Sequence, residues 1–391
     1  MPSPRLRHEA IFLLVFALDL VNMFIATVAY PAPGIGWLLG WRLLQGLAGG
    51  LLIPVAQAAA YRQCTPDQRG ALTRRILLVA LLVPALAPAL GGLLVQWLSW
   101  RGVLWASLPL ALAAMGLVLA WMPADGERTA PRLQAFALAT AMSALGMLLM
   151  ALTWLGEPGQ RSAGAVLLLA LVLATAHLRH ARRQAQLLLR WSLLSHRGLR
   201  LAMLVYLAVP GVFIGSQLAS TLQLHQAGFS AARIGALMLP WALASAVAIT
   251  GSRRLLARFG PAAVLRGGML LQASGLLLMA LLPQPSFALA ALLFALMGAG
   301  GSLCSSTAQT LAFHGVEAEA LGDASALWNL NRQLSFCLGT AAIALLLALA
   351  MQWLPTRATG VALGLAAFLT LLPLALLRRA QPLTLAQPEN A

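Results

Sequence analysis

Lysine is absent from this chain of 391 residues, and all 26 basic residues are arginine. Without an amine side chain the chain has no residue for Schiff-base chemistry or for the phosphate contact of a P-loop. Acidic residues are also few, and the ten present leave a formal net charge of +16. The three cysteines, Cys64, Cys304 and Cys337, form no CxxC pair. The sequence therefore signals neither a disulfide framework nor a zinc site.

Charge of either sign is scarce, at 9% of the residues, whereas a soluble protein carries about 25%. Hydrophobic residues make up 60% of the chain, and the mean hydropathy is +0.84. This composition excludes a soluble enzyme, a disordered chain and a nucleic-acid-binding module. It predicts an all-α integral membrane protein whose surroundings are the lipid bilayer and which has no nucleic-acid partner.

Enzyme signals are poor throughout the chain. There is no HExxH sequence, and no arrangement of Ser, His and Asp marks a nucleophilic site. The pair His177 and His180 is predicted to lie in a basic loop, and we interpret it as solvated rather than metal-binding. We predict that the protein is not an enzyme and needs no metal or cofactor.

Apolar windows of about 20 residues are long enough to cross a bilayer as helices. Twelve such windows occur, at 11–30, 36–60, 76–97, 102–122, 133–155, 163–177, 201–222, 234–251, 263–282, 287–311, 324–350 and 359–377. The first is too long for a typical signal-peptide core and contains Asp19 and Asn22, so we interpret it as a span.

The arginines give the orientation, because cytoplasmic loops carry an excess of basic residues. With the N-terminus inside, 20 arginines fall in cytoplasmic segments, four in outer segments and two within spans. Both termini are therefore predicted to be cytoplasmic, in a multi-pass protein of the cell inner membrane. The segment 178–200 is basic with interleaved apolar residues, which favours an amphipathic helix on the anionic inner leaflet. A specific lipid or partner site is the alternative.

Asp19 lies about halfway across the first predicted span, and Asn22 follows three residues later on the same helical face. A charged side chain at mid-bilayer costs at least ~2.5–3.5 kcal/mol and so invites a functional explanation. A carboxyl group in a cavity of the protein can bind and release a proton. The alternative is a buried carboxyl group that only hydrogen-bonds to a neighbouring helix.

Arg42 lies in the second predicted span, and Gln45 shares its helical stripe with small residues that permit close packing. Asp19 is the only acidic residue placed well inside a span, so we predict that it pairs with Arg42. Protonation of the carboxylate would then release the guanidinium, which is a proton-coupled switch. A fixed structural pair fits the sequence equally well.

A second polar cluster occurs in the eleventh predicted span. Asn329, Arg332 and Gln333 lie about a third of the way into it and fall on adjoining faces of a helix. A water-filled cavity or an interface between two halves of the protein would account for this cluster.

These segments resemble the drug:proton antiporter branch of the major facilitator superfamily, in particular its fourteen-span EmrB/QacA type. WRLLQGLAGGLLIP, which contains Arg42 and Gln45, is similar to the R-x-x-Q-G motif of the fourth family helix. GDASALWNLNRQ, which contains Asn329, Arg332 and Gln333, is similar to G-x-A-S-x-x-x-N-x-x-R-Q near the thirteenth. The resemblance implies a helical bundle that is a monomer.

The antiporter signature of the fifth family helix, G-P-x-x-G-G, resembles APALGG at 87–92. Pro88, Gly91 and Gly92 match it, while Ala87 replaces the usual glycine. The resemblance implies that these residues bend the helix. LSWR at 98–101 matches the S-W-R that follows in the family.

Two departures from the family pattern stand out. Aligning VAYP at 28–31 with the family's first helix places Asn22 at the acidic position and Asp19 one turn earlier. After YPAPGIG the chain enters the Arg42 segment at once, without counterparts of the second and third family helices or their cytoplasmic loop. The loss of two helices turns fourteen spans into twelve and leaves the orientation unchanged.

The sequence predicts a major-facilitator-type bundle of about twelve transmembrane helices in four parts: a truncated N-terminal half (1–132), two linker-like spans (133–177), a basic cytoplasmic connector (178–200) and a six-helix half (201–391). The predicted function is proton-coupled export of amphipathic, drug-like small molecules. Asp19 and Arg42 would couple protons, and Asn22, Gln45 and the Arg332 cluster would line the cavity. The alternative is a transport-incompetent truncated relative or a membrane binding or scaffold protein.

Overall fold

A computed structural model of the chain describes residues 135–157, 159–183, 196–313 and 321–379, with four isolated helical residues between 109 and 116. Every regular element in the continuous ranges is a helix, so the prediction of an all-α membrane bundle is confirmed. The first three predicted spans and nearly all of the fourth lie outside the described residues. The continuous ranges all belong to one compact unit, which includes residues 133–391.

Two helices, α1 (Ala135–Leu155) and α2 (Ala163–Arg183), form a hairpin joined by a turn with Gly159 at φ 82°. The Oγ1 of Thr140 lies 3.2 Å from Nδ1 of His177, which ties the start of α1 to the end of α2. The helix continues six residues past the predicted end at 177. The prediction that His177 and His180 lie in a loop is therefore wrong, since both belong to α2.

The helices after residue 196 are as follows: α3 (Arg197–Tyr206), a π-helical turn (Leu207–Gly211), α4 (Val212–Gln226), α5 (Ala231–Ala236), α6 (Met238–Leu281), α7 (Phe287–Phe313), α8 (Leu321–Trp353), a 3₁₀ turn (Pro355–Arg357), α9 (Ala358–Leu371) and α10 (Pro373–Arg379). α3, the π turn and α4 form one continuous segment of 30 residues that is apolar enough to span a membrane.

α6 is two helices joined at Gly260, which has φ 73° and ψ 164°. Glycine tolerates this left-handed conformation because it has no Cβ, and Pro261 then begins the second helix. Among the described residues, seven apolar segments are long enough to cross a membrane, and this break divides one of them into two. The eight resulting helices coincide with the predicted windows from residue 133 onward.

The core consists mainly of apolar side chains from α4, α7, α8, α9 and the second part of α6. Leu224, Leu276, Phe294, Ile343 and Leu363 are among its buried residues. Large apolar side chains also point outward, including Leu243 and Val247, which are 70% and 74% exposed. An exposed apolar surface of this kind fits a bundle whose solvent is lipid.

α6 and α7 approach each other closely at Gly268. A Cβ on this residue would lie 2.7 Å from the Sγ of Cys304 and 2.8 Å from the carbonyl oxygen of Gly300. The neighbouring Gly267 is exposed, and a Cβ there would meet nothing within 4 Å. Small residues allow this close contact, which stabilises helix pairs in membranes by packing.

We expect Gly268→Val to lower the free energy of unfolding by about 1–3 kcal/mol, because the added side chain overpacks the contact between α6 and α7. Thermal unfolding of the purified protein in detergent measures this loss. Gly267→Val is the matched control and should unfold near the wild-type temperature. Equal unfolding temperatures for the two variants would contradict the packing of α6 against α7.

Candidate functional site

The predicted polar cluster lies near the start of α8. Asn329 and Arg332 are half-buried, and Gln333 is exposed. Their Cα positions fall within an arc of roughly 100° around the helix, since each residue advances the helix by about that angle. We call these three residues the α8 polar flank. The structure therefore brings them to one side of a mainly apolar helix, as the sequence predicts.

The adjoining face of α8 is fixed against α3. The Nδ2 of Asn331 donates a hydrogen bond to the carbonyl oxygen of Met203, at 3.3 Å. Ser335 is fully buried, and its Oγ donates to the carbonyl oxygen of Asn331, at 2.7 Å. The first contact gives the α8 polar flank a defined position relative to α3, and the second lies within α8 itself.

Aromatic side chains pack around the beginning of α8. Trp328 is 2% exposed, and its ring meets Tyr206 edge-on at a centroid distance of 5.2 Å. Phe313 also packs edge-on against Trp328, while Phe336 contacts Tyr206 at 5.9 Å. Edge-to-face pairs of this kind favour defined ring orientations. The cluster joins α3, α7 and α8 directly beside the α8 polar flank.

Arg332 brings a positive charge into the apolar part of α8. Ten acidic residues occur in the chain, and Glu157 is the only one whose side chain is described. Glu157 follows α1, whose end contacts the far end of α8, about 30 Å from Arg332 at 1.5 Å per residue. Within the part of the chain that the structure describes, Arg332 therefore has no carboxylate near it. A guanidinium in this position can bind an anion or a carbonyl group, or it can face a water-filled cavity.

Two buried glutamines, neither of them among the predicted site residues, belong to the polar interior. The Nε2 of Gln272 lies 2.8 Å from the carbonyl oxygen of Val209, and the Nε2 of Gln223 lies 2.7 Å from that of Met279. Gln272 interrupts the apolar window 263–282, which is the signal that could have identified it, whereas Gln223 directly follows the window 201–222.

The remaining predicted site residues lie outside the described residues. They are Asp19, Asn22, Arg42, Gln45, Pro88, Gly91 and Gly92. The pairing of Asp19 with Arg42 and the bend at Pro88 therefore stay predictions. Among the described residues, no group of three or more His, Cys, Asp or Glu side chains could hold a metal ion.

Proteins similar to this chain include several drug exporters and resistance proteins. A multidrug resistance protein B homolog of Mycobacterium tuberculosis is 28% identical over 332 residues, which cover 81% of this chain and 60% of the relative. The drug efflux pump JefA of the same organism is 26% identical over 306 residues, covering 77% and 60%. The lincomycin resistance protein LmrB of Bacillus subtilis is 32% identical over 120 residues, covering 31% and 24%.

The match with these relatives is partial in length, since the chain spans 60% of each of the two mycobacterial proteins. The family comparison is broader within the chain itself. Residues 10–340 match the Major Facilitator Superfamily, and this match includes most of the described helices together with the α8 polar flank. With far more than half of its residues in this match, the chain belongs to the Major Facilitator Superfamily.

Proposed function

We propose that the protein is a proton-coupled exporter of amphipathic, drug-like small molecules. Its relatives include a multidrug resistance protein and a drug efflux pump, which favours export over other kinds of membrane transport. We further propose that it is of the EmrB/QacA type and lacks the second and third helices of that type. It would act as a monomer in the inner membrane with both termini cytoplasmic.

The α8 polar flank is the observation that carries this proposal. An arginine within an apolar helix is expensive unless it faces a cavity or a partner. Arg332 is half-buried and Gln333 is exposed, so the flank offers hydrogen-bond donors beside apolar surface. A ligand with both polar and apolar parts matches such a surface.

The energy for export would come from proton entry. The membrane potential contributes about 2.3 kcal/mol per charge per 100 mV, which is enough to drive uphill export without ATP. We propose that Asp19 accepts the proton and that Arg42 is its partner. Pro88, Gly91 and Gly92 would form the bend, while Asn22 and Gln45 would line the cavity with the α8 polar flank.

The proposed arrangement of the chain follows the inverted repeats on which major facilitators depend. Residues 201–391 would form a complete six-helix half, and 1–132 would form a half that is shortened by two helices. Residues 133–177 would supply two linker spans, and 178–200 would connect them to the second half on the cytoplasmic side. The six-helix part of this arrangement is supported by residues 196–313 and 321–379, which contain helices long and apolar enough to span a membrane.

Dye efflux from energised cells that express the chain tests the proposed function. We expect efflux that stops when a protonophore collapses the proton gradient. We also expect Arg332→Gln to lower the initial efflux rate at least tenfold, because the flank loses its charge. Arg357→Gln is the matched control, since Arg357 is exposed on the 3₁₀ turn and should leave the rate unchanged.

Two outcomes would contradict the proposal. If the cells retain every dye of a broad panel although the protein is folded and inserted, the result would favour a transport-incompetent or scaffold protein. Equal efflux rates for Arg332→Gln and Arg357→Gln would show that the α8 polar flank is not part of the transport site. Export itself would still stand.

A further inference from the structure

The first span of the six-helix part contains a π turn at its middle. The turn, Leu207–Gly211, separates α3 from α4 and contains Pro210. Proline donates no backbone hydrogen bond, and π turns within α-helices are frequent at functional sites. This span therefore has a weak point in its hydrogen-bond ladder about halfway along its 30 residues.

A side chain from another helix donates a hydrogen bond to this π turn. Gln272 lies in the second part of α6 and is fully buried. Its Nε2 donates to the carbonyl oxygen of Val209, at 2.8 Å, and lies 3.5 Å from the Oγ1 of Thr370 in α9. Thr370 donates its own proton to Ala366, so its oxygen is free to accept from Gln272. One amide thus joins the π turn to α6 and α9.

The other end of the same amide faces α7. Within the described part of the chain, the Oε1 of Gln272 is buried and has no donor. A Cβ on Gly301 would lie 2.7 Å from this oxygen, so the glycine leaves the space that the amide occupies. A buried acceptor without a donor is unfavourable, so exchanging the partners of Gln272 costs less than it would for a fully hydrogen-bonded amide.

The π turn also touches the helix that carries the polar flank. Gly211 ends the turn, and a Cβ there would lie 2.5 Å from the carbonyl oxygen of Ser335 in α8. Ser335 lies three residues after Arg332, within one turn of the helix. A change of bend at the π turn therefore acts directly on the backbone of α8 beside the site.

We infer that Gln272 is a positioning residue that sets the bend of the span formed by α3 and α4. While its Nε2 holds Val209, the π turn keeps its present geometry; release of this bond lets the span bend differently. The structural part of this inference concerns the turn alone. Its extension, that the release occurs during each export cycle, rests on the proposed function.

Hydrogen exchange of the purified full-length protein tests the structural part. In Gln272→Met, which keeps the length of the side chain but removes its amide, we expect the amides of 207–213 to exchange at least tenfold faster. Gln223→Met is the matched control. Gln223 is also buried, its Nε2 donates to Met279 at 2.7 Å and lies 3.1 Å from the Leu282 oxygen, and its Oε1 likewise has no donor among the described residues.

Faster exchange at 207–213 in Gln272→Met but not in Gln223→Met supports the inference, whether or not the cells export dye. Equal exchange in the two variants overturns it. If Gln272→Met does not fold, Gly301→Ala provides the same test, because the added methyl displaces the amide. Exchange at wild-type rates in a folded Gly301→Ala would then overturn the inference.

The role of Gln272 in the export cycle is tested separately, by the rate of dye efflux. Where the wild type exports dye, Gln272→Met should lower the maximal efflux rate severalfold with an unchanged KM, since the turn is not proposed to touch the substrate. Unchanged maximal efflux together with faster exchange at the turn would overturn the extension and leave the role of Gln272 in the turn intact.

Discussion

Gly339→Val is expected to yield almost no folded protein. In α8 a Cβ on Gly339 would meet the backbone of Gly211, at 3.1 Å from its Cα and closer still to its carbonyl group. A Cβ on Gly215 would in turn meet the backbone of Gly339 and the side chain of Ile343. The two helices therefore touch backbone to backbone at these glycines.

A contact of this type leaves no flexible side chain that could move aside. Valine at 339 would separate α8 from α4 along their length and disturb the core around Ile343. Overpacking usually costs about 1–3 kcal/mol, and this contact should exceed that range because whole helices must shift. Such a loss is a large fraction of the stability of a typical protein.

The yield of monodisperse protein in detergent measures the effect of Gly339→Val. Gly364→Val is the matched control in α9, because a Cβ on Gly364 would meet nothing within 4 Å. We expect the control to purify at close to the wild-type yield. A wild-type yield of Gly339→Val would show that α4 and α8 do not make this contact.

The second large effect is expected at Asp19, which lies outside the described residues. Asparagine has nearly the same size as aspartate but carries no exchangeable carboxyl proton. If Asp19 is the proton acceptor, Asp19→Asn abolishes the part of efflux that depends on the proton gradient. Arg42→Ala should give the same loss, because it removes the proposed partner of the carboxylate.

Dye transport into the lumen of inverted membrane vesicles under an imposed pH gradient measures this coupling. Asp67→Asn is the control, since Asp67 is in a predicted cytoplasmic loop and should keep the wild-type dependence on the gradient. The double variant Asp19→Asn with Asn22→Asp moves the carboxyl group by one turn on the same helical face. Wild-type coupling in both Asp19→Asn and Arg42→Ala would show that protons are bound elsewhere.

The positions of the helices could be predicted from the sequence because span length is set by the bilayer. The break at Gly260 fell between two predicted windows, 234–251 and 263–282. The continuation of α2 from 177 through Arg183 could not be predicted from hydropathy, since these turns of the helix are basic and resemble a loop. Helical pairing with α1, through Thr140 and His177, extends the helix beyond its apolar part.

The candidate site was predictable to the extent that it carries charge. Arg332 stands out in an apolar window, and its neighbours on the helix follow from the helical period. Gln272 and the glycine contacts are different, because their roles depend on which helices are adjacent. Nothing local to Gln272 indicates that Val209 and Thr370 would lie beside it, so only the three-dimensional structure shows this junction.

The hairpin of α1 and α2 differs from the rest of the described unit in what surrounds it. Only 22% and 11% of the residues in its two apolar windows are buried by protein. It meets α8 near one end, where the Nε2 of Gln352 donates to the carbonyl oxygen of Gly156, at 3.0 Å. Among the described residues, protein therefore covers little of its surface. Such a hairpin can insert before the bundle assembles and remain inserted when the bundle comes apart, and its outward residues are free to diverge while they stay apolar.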